Sequence, residues 1–464
     1  EDRGQRTLYE MIYAGPLSAL SGADQRLSYL KYDAKTGVIS ETEKVDGYSI
    51  FCPPLAQEEQ ILKSRALRLC SAANDYGDDE GLSMELSNFI EKYVSISAEN
   101  MSLVLAYIFL TWVYQRFSVV PYFRAIGTHG TGKSRLIKLM GQLCYRPIMI
   151  SGNSSEAGIF RAIERYGGTL VLDEAEFGEG DQAQSIIKLL NAGNSTDAAT
   201  LRCDVPAGGK GGTWILKAFS TFCPKLLSQR SEFKDKSTES RCFTLKMAPG
   251  KRAANIPFDL PPTVSPETER LRNKLLKWRF HNYYRFPFDY DEITKELDAD
   301  FLRTEDRIKQ IAFPIMQVAR TLPFLKSGLI GTVAGASEEI TSTRQASVAF
   351  HILKIIMRFK LEKDGPLLLK DILDDYNVSI DGSGDYRLSS RGLAGTVRNQ
   401  LNLKTRHTRE GGIVVWDDSA IDTQCRLFNI NPKPVVTIGG DCEDDDSYHN
   451  ENHQEDNAMI VKDI

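Results

Sequence analysis

Apolar and polar positions alternate in blocks through the middle of the chain. The runs "PYFRAI", "RPIMIS" and "TLVL" are short and continuous, as expected of buried strands, and each is followed by a segment with the apolar spacing of an amphipathic helix. Because strand and helix alternate, we predict an α/β fold with a parallel sheet. The helix after "RPIMIS" is expected to be capped by Asn153 and Glu156.

The turn after the first of these strands is rich in glycine. Its sequence "GTHGTGKS" fits G-x-x-x-x-G-K-S, in which backbone N–H groups wrap a phosphate chain. The Lys133 ammonium would reach the outer phosphates, and the Ser134 hydroxyl would face Mg²⁺ at the positive end of the next helix. A glycine-rich loop that binds nothing is the alternative. The residues expected at the nucleotide are Gly127, Thr128, His129, Gly130, Thr131, Gly132, Lys133, Ser134 and Arg135.

An acidic pair ends the third strand, in "LVLDEAE". Asp173 is expected to hold Mg²⁺ through water, and Glu174 to orient and deprotonate the water that attacks the γ-phosphate. Two acids at an ordinary surface strand end are the alternative. The loop and the acids together predict a P-loop nucleoside triphosphatase that uses Mg²⁺.

Two further strand-like runs, "AATLRCDV" and "TWILKAFSTF", are separated by the flexible segment "PAGGKGG". This pattern predicts a hairpin whose tip carries one cation, Lys210. Such a tip could enter a central channel and grip a DNA phosphate. A solvent-exposed hairpin whose lysine only aids solubility is the alternative.

The formal net charge of −5 is unevenly distributed along the 464 residues. Residues 441–464 contain nine Asp or Glu and one Lys, which amounts to −8, so residues 1–440 carry +3. The acidic end is predicted to be a solvated, disordered tail, with partner binding or nucleic-acid mimicry as alternatives. Because the chain begins at Glu1 rather than Met, we expect a fragment of a longer protein.

No segment indicates membrane insertion or secretion. The longest apolar stretch, "MSLVLAYIFLTWVY", is too short to span a bilayer and predicts a buried helix. A signal-peptide pattern is not visible. The eight cysteines lack C-x-x-C pairs, which favours reduced thiols in the cytoplasm over a zinc site or a disulfide framework.

The motifs resemble those of a known family. "GTHGTGKS", "LVLDEAE", the hairpin before "KAFSTFCPKLL" and the later "STESRCFTLKM" resemble the AAA+ ATPase cores of mobile-element and phage replicative helicases. These are similar in organisation to superfamily 3 and minichromosome-maintenance enzymes. The resemblance implies a homo-hexameric ring in which ATP lies between subunits and hydrolysis moves DNA through the pore.

The same resemblance implies three further positions at the nucleotide. Arg241, in "ESR" before an apolar strand, matches the arginine finger that a neighbouring subunit inserts toward the γ-phosphate, with Arg230 as the competing candidate. Ser220 or Thr221 is expected at the sensor position at the end of "KAFSTF". Arg307 matches the lid arginine that touches the γ-phosphate when the lid closes. The alternative for Arg241 is an ordinary salt bridge. For Ser220 and Thr221 it is a purely structural place in the strand, and for Arg307 it is a solvated charge on a helix.

The end of the folded chain has another pattern. "RQASVAFHILKIIMRFK", "PLLLKDILDDYNV" and "SSRGLAGTVRNQLN" predict three helices, and "LKTRHTREGGIVVWDD" predicts a basic hairpin, which together resemble a winged helix. Such a module contacts DNA or docks a protein. The candidate phosphate contacts are Arg391, Arg398, Lys404, Arg406, His407 and Arg409.

These patterns divide the chain into six predicted regions. They are an N-terminal mixed region of unclear role (1–85), a helical linker (86–120), the AAA+ core (121–250), a helical lid (251–338), a winged helix (339–430) and the acidic tail (431–464). We expect an ATP-driven DNA helicase that replicates a mobile element, phage or plasmid. A replication initiator or loader that uses ATP as a DNA-binding switch is one alternative, and a non-replicative remodeller or defence sensor is another.

Overall fold

The computed structural model describes most of the chain. The described residues are 6–14, 26–150, 154–173, 181–197, 199–204, 215–248, 255–296, 306–345, 347–362, 365–379, 387–428 and 430. They form two compact units, Glu1–Ile340 and Thr341–Ile464, which are described separately.

The first unit opens with a three-stranded antiparallel sheet. Its strands are β1 (Thr7–Ala14), β2 (Arg26–Asp33) and β3 (Ile39–Thr42), in that spatial order. Thr7 pairs with Asp33 and Tyr29 with Thr42, so β2 is the central strand.

A buried ionic cluster joins this sheet to the rest of the unit. The Glu10 carboxylate on β1 accepts hydrogen bonds from Arg279 Nε at 2.6 Å, Arg146 Nη2 at 2.7 Å and the Tyr145 hydroxyl at 2.8 Å. Burial acts to raise the pKa of Glu10, but the charges of Arg279 and Arg146 outweigh it and lower the pKa. Glu10 is therefore ionised and paired at neutral pH.

Seven more strands belong to the first unit. They are β4 (Tyr122–Ile126), β5 (Pro147–Ile150), β6 (Thr169–Leu172), β7 (Thr200–Asp204), β8 (Ile215–Phe219), β9 (Lys225–Gln229) and β10 (Cys242–Lys246). Five of them form a parallel sheet in the order β10–β4–β9–β6–β5, which confirms the predicted parallel α/β sheet. The other two, β7 and β8, pair with each other as an antiparallel hairpin.

Eleven helices in the described part of the chain begin within the first unit. They are α1 (Leu55–Lys63), α2 (Asp79–Glu91), α3 (Ala98–Val113), α4 (Lys133–Leu143), α5 (Glu156–Tyr166), α6 (Asp181–Ala192), α7 (Lys236–Glu239), α8 (Val264–Asn282), α9 (Tyr290–Glu296), α10 (Asp306–Thr321) and α11 (Lys326–Gln345). Single 3₁₀ turns span Tyr114–Arg116, Tyr283–Arg285 and Pro323–Leu325.

Local sequence explains where several of these helices begin. Ser97 caps α3, and Ser155 caps α5 by accepting a hydrogen bond from the Gly158 N–H. The predicted cap of α5 at Asn153 is therefore wrong by two positions. The apolar helix α3 is buried from Leu103 to Val113 and packs against α8 and α10. No helix in the described part of the chain has the length and apolarity to cross a bilayer.

The second unit has its own hydrophobic core. Its helices are α12 (Val348–Glu362), α13 (Leu369–Ser379), α14 (Ser390–Gly395) and α15 (Asp418–Leu427), and α14 continues as a π-helical turn, Thr396–Gln400. Strands β11 (Leu367–Leu368), β12 (Thr405–Thr408) and β13 (Gly411–Val414) form an antiparallel sheet in the order β11–β13–β12. The predicted acidic tail, residues 431–464, lies outside the described residues.

Candidate functional site

The glycine-rich loop connects the carboxyl end of β4 to the first turn of α4. A Cβ at Gly127 would lie 2.6 Å from the Met247 carbonyl oxygen and 2.5 Å from Thr131 Oγ1, which is too close for any other residue. Gly130 and Gly132 have φ values of +77° and +87°, in the left-handed region that side chains disfavour. The loop therefore requires glycine at these positions for steric reasons.

Two side chains of the loop fold back onto its backbone. Lys133 Nζ donates to the Thr128 carbonyl at 3.3 Å, and Thr131 Oγ1 donates to the same oxygen at 3.0 Å. Thr128, His129 and Gly130 are exposed at the outer edge of the loop. The Lys133 ammonium thus lies over the loop, where a bound anion would meet it.

Asp173 follows β6 directly, at the same edge of the sheet as the loop. The strand between them, β9, brings Ser228 Oγ to 3.4 Å from Ser134 Oγ. Burial acts to raise the pKa of Asp173, but hydrogen bonds from Lys138 and Ser134 and the charge of Lys138 outweigh it and lower the pKa. The Asp173 carboxylate is therefore ionised at neutral pH.

The residues around Asp173 suit a magnesium ion. Asp173 Oδ1 is buried and accepts no hydrogen bond within the described part of the chain, and the Ser134 hydroxyl is close by. Carboxylate and hydroxyl oxygens are the ligand types that Mg²⁺ prefers, with remaining positions filled by water and phosphate. Among the described residues, no cluster of three or more His, Cys, Asp or Glu side chains could hold a metal alone. A metal here would depend on a phosphate for its remaining ligands.

A cavity of about 950 Å³ lies beside the loop. Its lining residues fall into three segments and one single residue: Tyr93–Ser97 with Asn100, Gly130–Arg135, Leu245–Ala248, and Ile256. Arg135 closes one side, because its guanidinium donates to the carbonyls of Pro257 at 2.7 Å, Tyr93 at 3.4 Å and Phe258. The volume is at the upper end of the range for pockets that hold a drug-sized ligand.

The predicted sensor position needs a correction. Ser220 and Thr221 follow the hairpin strand β8 and precede β9, so they lie at the amino end of the parallel sheet, opposite the loop. The residue at the carboxyl end of β9, on the same side of the sheet as the loop, is Gln229. Gln229 is 5% exposed, and its backbone carbonyl accepts a hydrogen bond from the Gly127 N–H at 3.3 Å. Sequence reasoning missed Gln229, although "KLLSQ" is a short apolar run that ends in polar residues.

Arg241 lies at the amino end of the sheet. Its carbonyl accepts from the Tyr122 N–H at 2.9 Å, while the loop begins at the other end of β4. Five residues at about 3.3 Å each separate the two by about 16 Å. The Arg241 guanidinium is held by Asn194 Oδ1 at 2.8 Å and by the hydroxyl of Ser237 at 2.7 Å.

Arg307 lies at the start of α10, where its guanidinium donates to the Gln310 side-chain carbonyl. Burial lowers the pKa of Arg307, and the positive charge of Arg241 lowers it further. The predicted contact of Arg307 with the γ-phosphate on closure of the lid stays a prediction. The competing candidate Arg230 follows Gln229 at the loop edge and is exposed.

Two of the predicted site residues lie outside the described residues: Glu174, which follows Asp173, and Lys210, which lies between β7 and β8. The hairpin strands on either side of Lys210 are present, and Leu201 and Leu216 on them are more than half exposed.

In the second unit, all six predicted phosphate contacts are exposed. Arg391 and Arg398 are seven residues apart on a continuous helical segment, so they lie on one face. Lys404, just before β12, and Arg406 are two residues apart and therefore lie on the same side of the strand. His407 lies on the other side. The structure thus places these cations in two groups.

No family model matches the sequence, and no curated protein matches it. Solved structures with some likeness include the apo A form of the NrS-1 C-terminal region (residues 305–718), at 12% identity over 72% of this chain and 74% of that chain, with a TM-score of 0.32. A full-length MCM homolog from Methanopyrus kandleri is 12% identical over 68% of each chain, with a TM-score of 0.31. Drosophila ORC bound to DNA is 12% identical over 80% of this chain and 99% of that chain, with a TM-score of 0.19.

Proposed function

We propose that this chain is an ATPase that drives a DNA helicase ring. The observation that carries the ATPase part is the convergence of the glycine-rich loop, Ser134 and Asp173 at one edge of a parallel sheet, beside a cavity of about 950 Å³. Parallel sheets bind ligands at the carboxyl ends of their strands, and this convergence lies there. The cavity has room for the nucleoside, while the loop takes the phosphates.

The residues of the proposed site have two roles: some bind the phosphates and the metal, and others activate the attacking water. Lys133 and the loop N–H groups would hold the phosphates, and Ser134 and Asp173 would hold magnesium, which would neutralise phosphate charge. Glu174 orients the attacking water and accepts its proton. Gln229, at the end of the strand between the loop and Asp173, is placed to hydrogen-bond the γ-phosphate or that water.

The active site is completed by a second copy of the chain. Arg241 lies about 16 Å from its own loop, which is beyond the reach of one side chain, so it serves the nucleotide of a neighbour. An interface of this head-to-tail kind repeats around an axis and closes into a ring, which we propose is a hexamer.

DNA would contact the hairpin and the second unit. Lys210 at the hairpin tip would grip a phosphate in the pore, and Arg391, Arg398, Lys404, Arg406 and Arg409 would hold DNA on a winged helix. These contacts distinguish a helicase from an ATPase that acts on protein.

Calorimetry with ATP, with and without Mg²⁺, tests the site. We expect magnesium-dependent binding that Lys133→Ala weakens at least about tenfold, since a charged phosphate contact is lost. Absence of any magnesium-dependent binding by folded wild-type protein would refute the ATPase proposal.

A forked-DNA assay tests the helicase part. Lys210→Ala should retain most of the ATPase rate and lose strand displacement, because the ATP site is unchanged while the pore contact is lost. Lys188→Ala, on α6, is the control variant and should unwind at the wild-type rate. Normal unwinding by Lys210→Ala would contradict the role of the hairpin.

A further inference from the structure

Lys138 makes a contact that the proposed mechanism does not use. It lies one helical turn after Ser134 on α4, and its Nζ is 2.8 Å from Asp173 Oδ2. The Lys138 side chain is 49% exposed and that of Asp173 is 20% exposed. The ion pair therefore covers one carboxylate oxygen from the solvent side.

The two oxygens of Asp173 consequently have different environments. Oδ2 is paired with Lys138, whereas Oδ1 is buried and accepts no hydrogen bond within the described part of the chain. The hydroxyl groups of Ser134 and Ser228 are near this carboxylate and lie 3.4 Å from each other. The oxygen that remains for a metal is thus the inner one.

We propose that Lys138 is a resident counter-charge for Asp173, which keeps divalent metal out of the site until a nucleotide arrives. This inference rests on the proposed nucleotide site. Without nucleotide, the negative charge of Asp173 is already balanced by the Lys138 ammonium group, so a divalent ion is attracted less strongly than it would be to an unpaired carboxylate. The phosphates of a nucleotide add several negative charges and supply the missing oxygen ligands. Metal and nucleotide then bind together, and metal alone binds weakly.

Binding of Mn²⁺, followed by the electron paramagnetic resonance signal of the free ion, tests this directly on the full chain. Lys138→Met keeps the length of the side chain and removes its charge. We expect Lys138→Met to bind Mn²⁺ without nucleotide about fivefold to tenfold more tightly than wild type, the modest size reflecting solvent screening at a half-exposed lysine. Lys138→Arg, which retains the charge, should behave as wild type.

Two controls assign the effect to the pair. Lys274→Met breaks another lysine–carboxylate pair of the same unit, with Glu85 at 2.5 Å, and should leave Mn²⁺ binding at the wild-type level. Adding Asp173→Asn to Lys138→Met should abolish the gain.

Mn²⁺ affinity of folded Lys138→Met that is equal to or weaker than that of wild type would overturn the inference, because Lys138 would then only position Asp173. A different result bears on the site itself. If wild-type protein takes up no Mn²⁺ even with ATP, the proposed nucleotide site fails whatever the variants do.

Discussion

Replacing Arg241 by alanine tests whether the ATP site is shared between two copies of the chain. Arg241 lies at the amino end of the parallel sheet and the phosphate loop at the carboxyl end, about 16 Å apart by the rise of a five-residue strand. An extended arginine side chain covers less than half of that distance. The guanidinium therefore contributes nothing to its own chain's nucleotide, and ATP binding to a single chain should be unchanged.

The catalytic loss should be large. An arginine that neutralises the transition-state charge accounts for about 10³-fold or more in rate, which corresponds to about 4 kcal/mol. The cost in stability is smaller, because the hydrogen bonds to Asn194 and Ser237 are worth about 1 kcal/mol each. We therefore expect Arg241→Ala to fold, to bind ATP and to hydrolyse it at least about a thousandfold more slowly.

Mixing two inactive variants gives the decisive assay. Lys133→Ala lacks a working loop but still offers Arg241, whereas Arg241→Ala retains the loop. In rings assembled from equal amounts, about a quarter of the interfaces combine an intact loop with an intact arginine, and ATPase activity should return to about that fraction. If mixing restores nothing, or if Arg241→Ala alone hydrolyses ATP normally, the shared site is refuted.

Three further predictions concern binding, chemistry and stability. Gly127→Ala should weaken ATP binding about tenfold or more because its Cβ would collide with the loop, whereas Gly331→Ala, with open space around it, should bind normally by calorimetry. Gln229→Leu should leave ATP binding intact and lower the steady-state kcat about a hundredfold, since one preorganised hydrogen bond is lost. Glu10→Gln should lower the free energy of unfolding by about 3 kcal/mol at pH 7 in denaturant titrations, whereas Glu41→Gln, in an exposed pair, should lower it by less than about 1 kcal/mol. The pKa of Glu10 is lowered on folding, so its stabilisation is present above the unfolded pKa of about 4.3 and disappears as the pH falls through the folded value; a difference between wild type and Glu10→Gln that persists in strong acid would contradict this.

The sequence allowed the sheet and the loop to be predicted because each depends on local patterns. Continuous apolar runs form β4, β5 and β6. The motif G-x-x-x-x-G-K-S has glycine at the positions of Gly127 and Gly132, where the structure shows a steric need for it. The position of Asp173 could be predicted because this acid directly follows the apolar run that forms β6.

The central strand β9 could not be predicted in the same way. It begins with Lys225, a residue that is usually exposed, yet here its Nζ donates to the carbonyls of Gly193, Thr221 and Cys223 at 2.9–3.0 Å and is fully buried. Those partners become visible only in three dimensions. The family resemblance predicts the sensor at the end of "KAFSTF", whereas the strand whose carboxyl end lies at the loop edge is β9, which ends at Gln229.

In the proposed shared site, the opposite placement of Arg241 and the phosphate loop would give each copy of the chain two unequal half-sites, one at either end of a single sheet. A copy that lacked both Arg241 and a working loop would therefore inactivate the sites that it shares with both neighbours. An open row of copies would leave one loop and one arginine unmatched, so every copy could turn over ATP only in a closed ring. A small fraction of copies that lack both the arginine and the loop should consequently lower the ATPase rate of the assembly by more than that fraction.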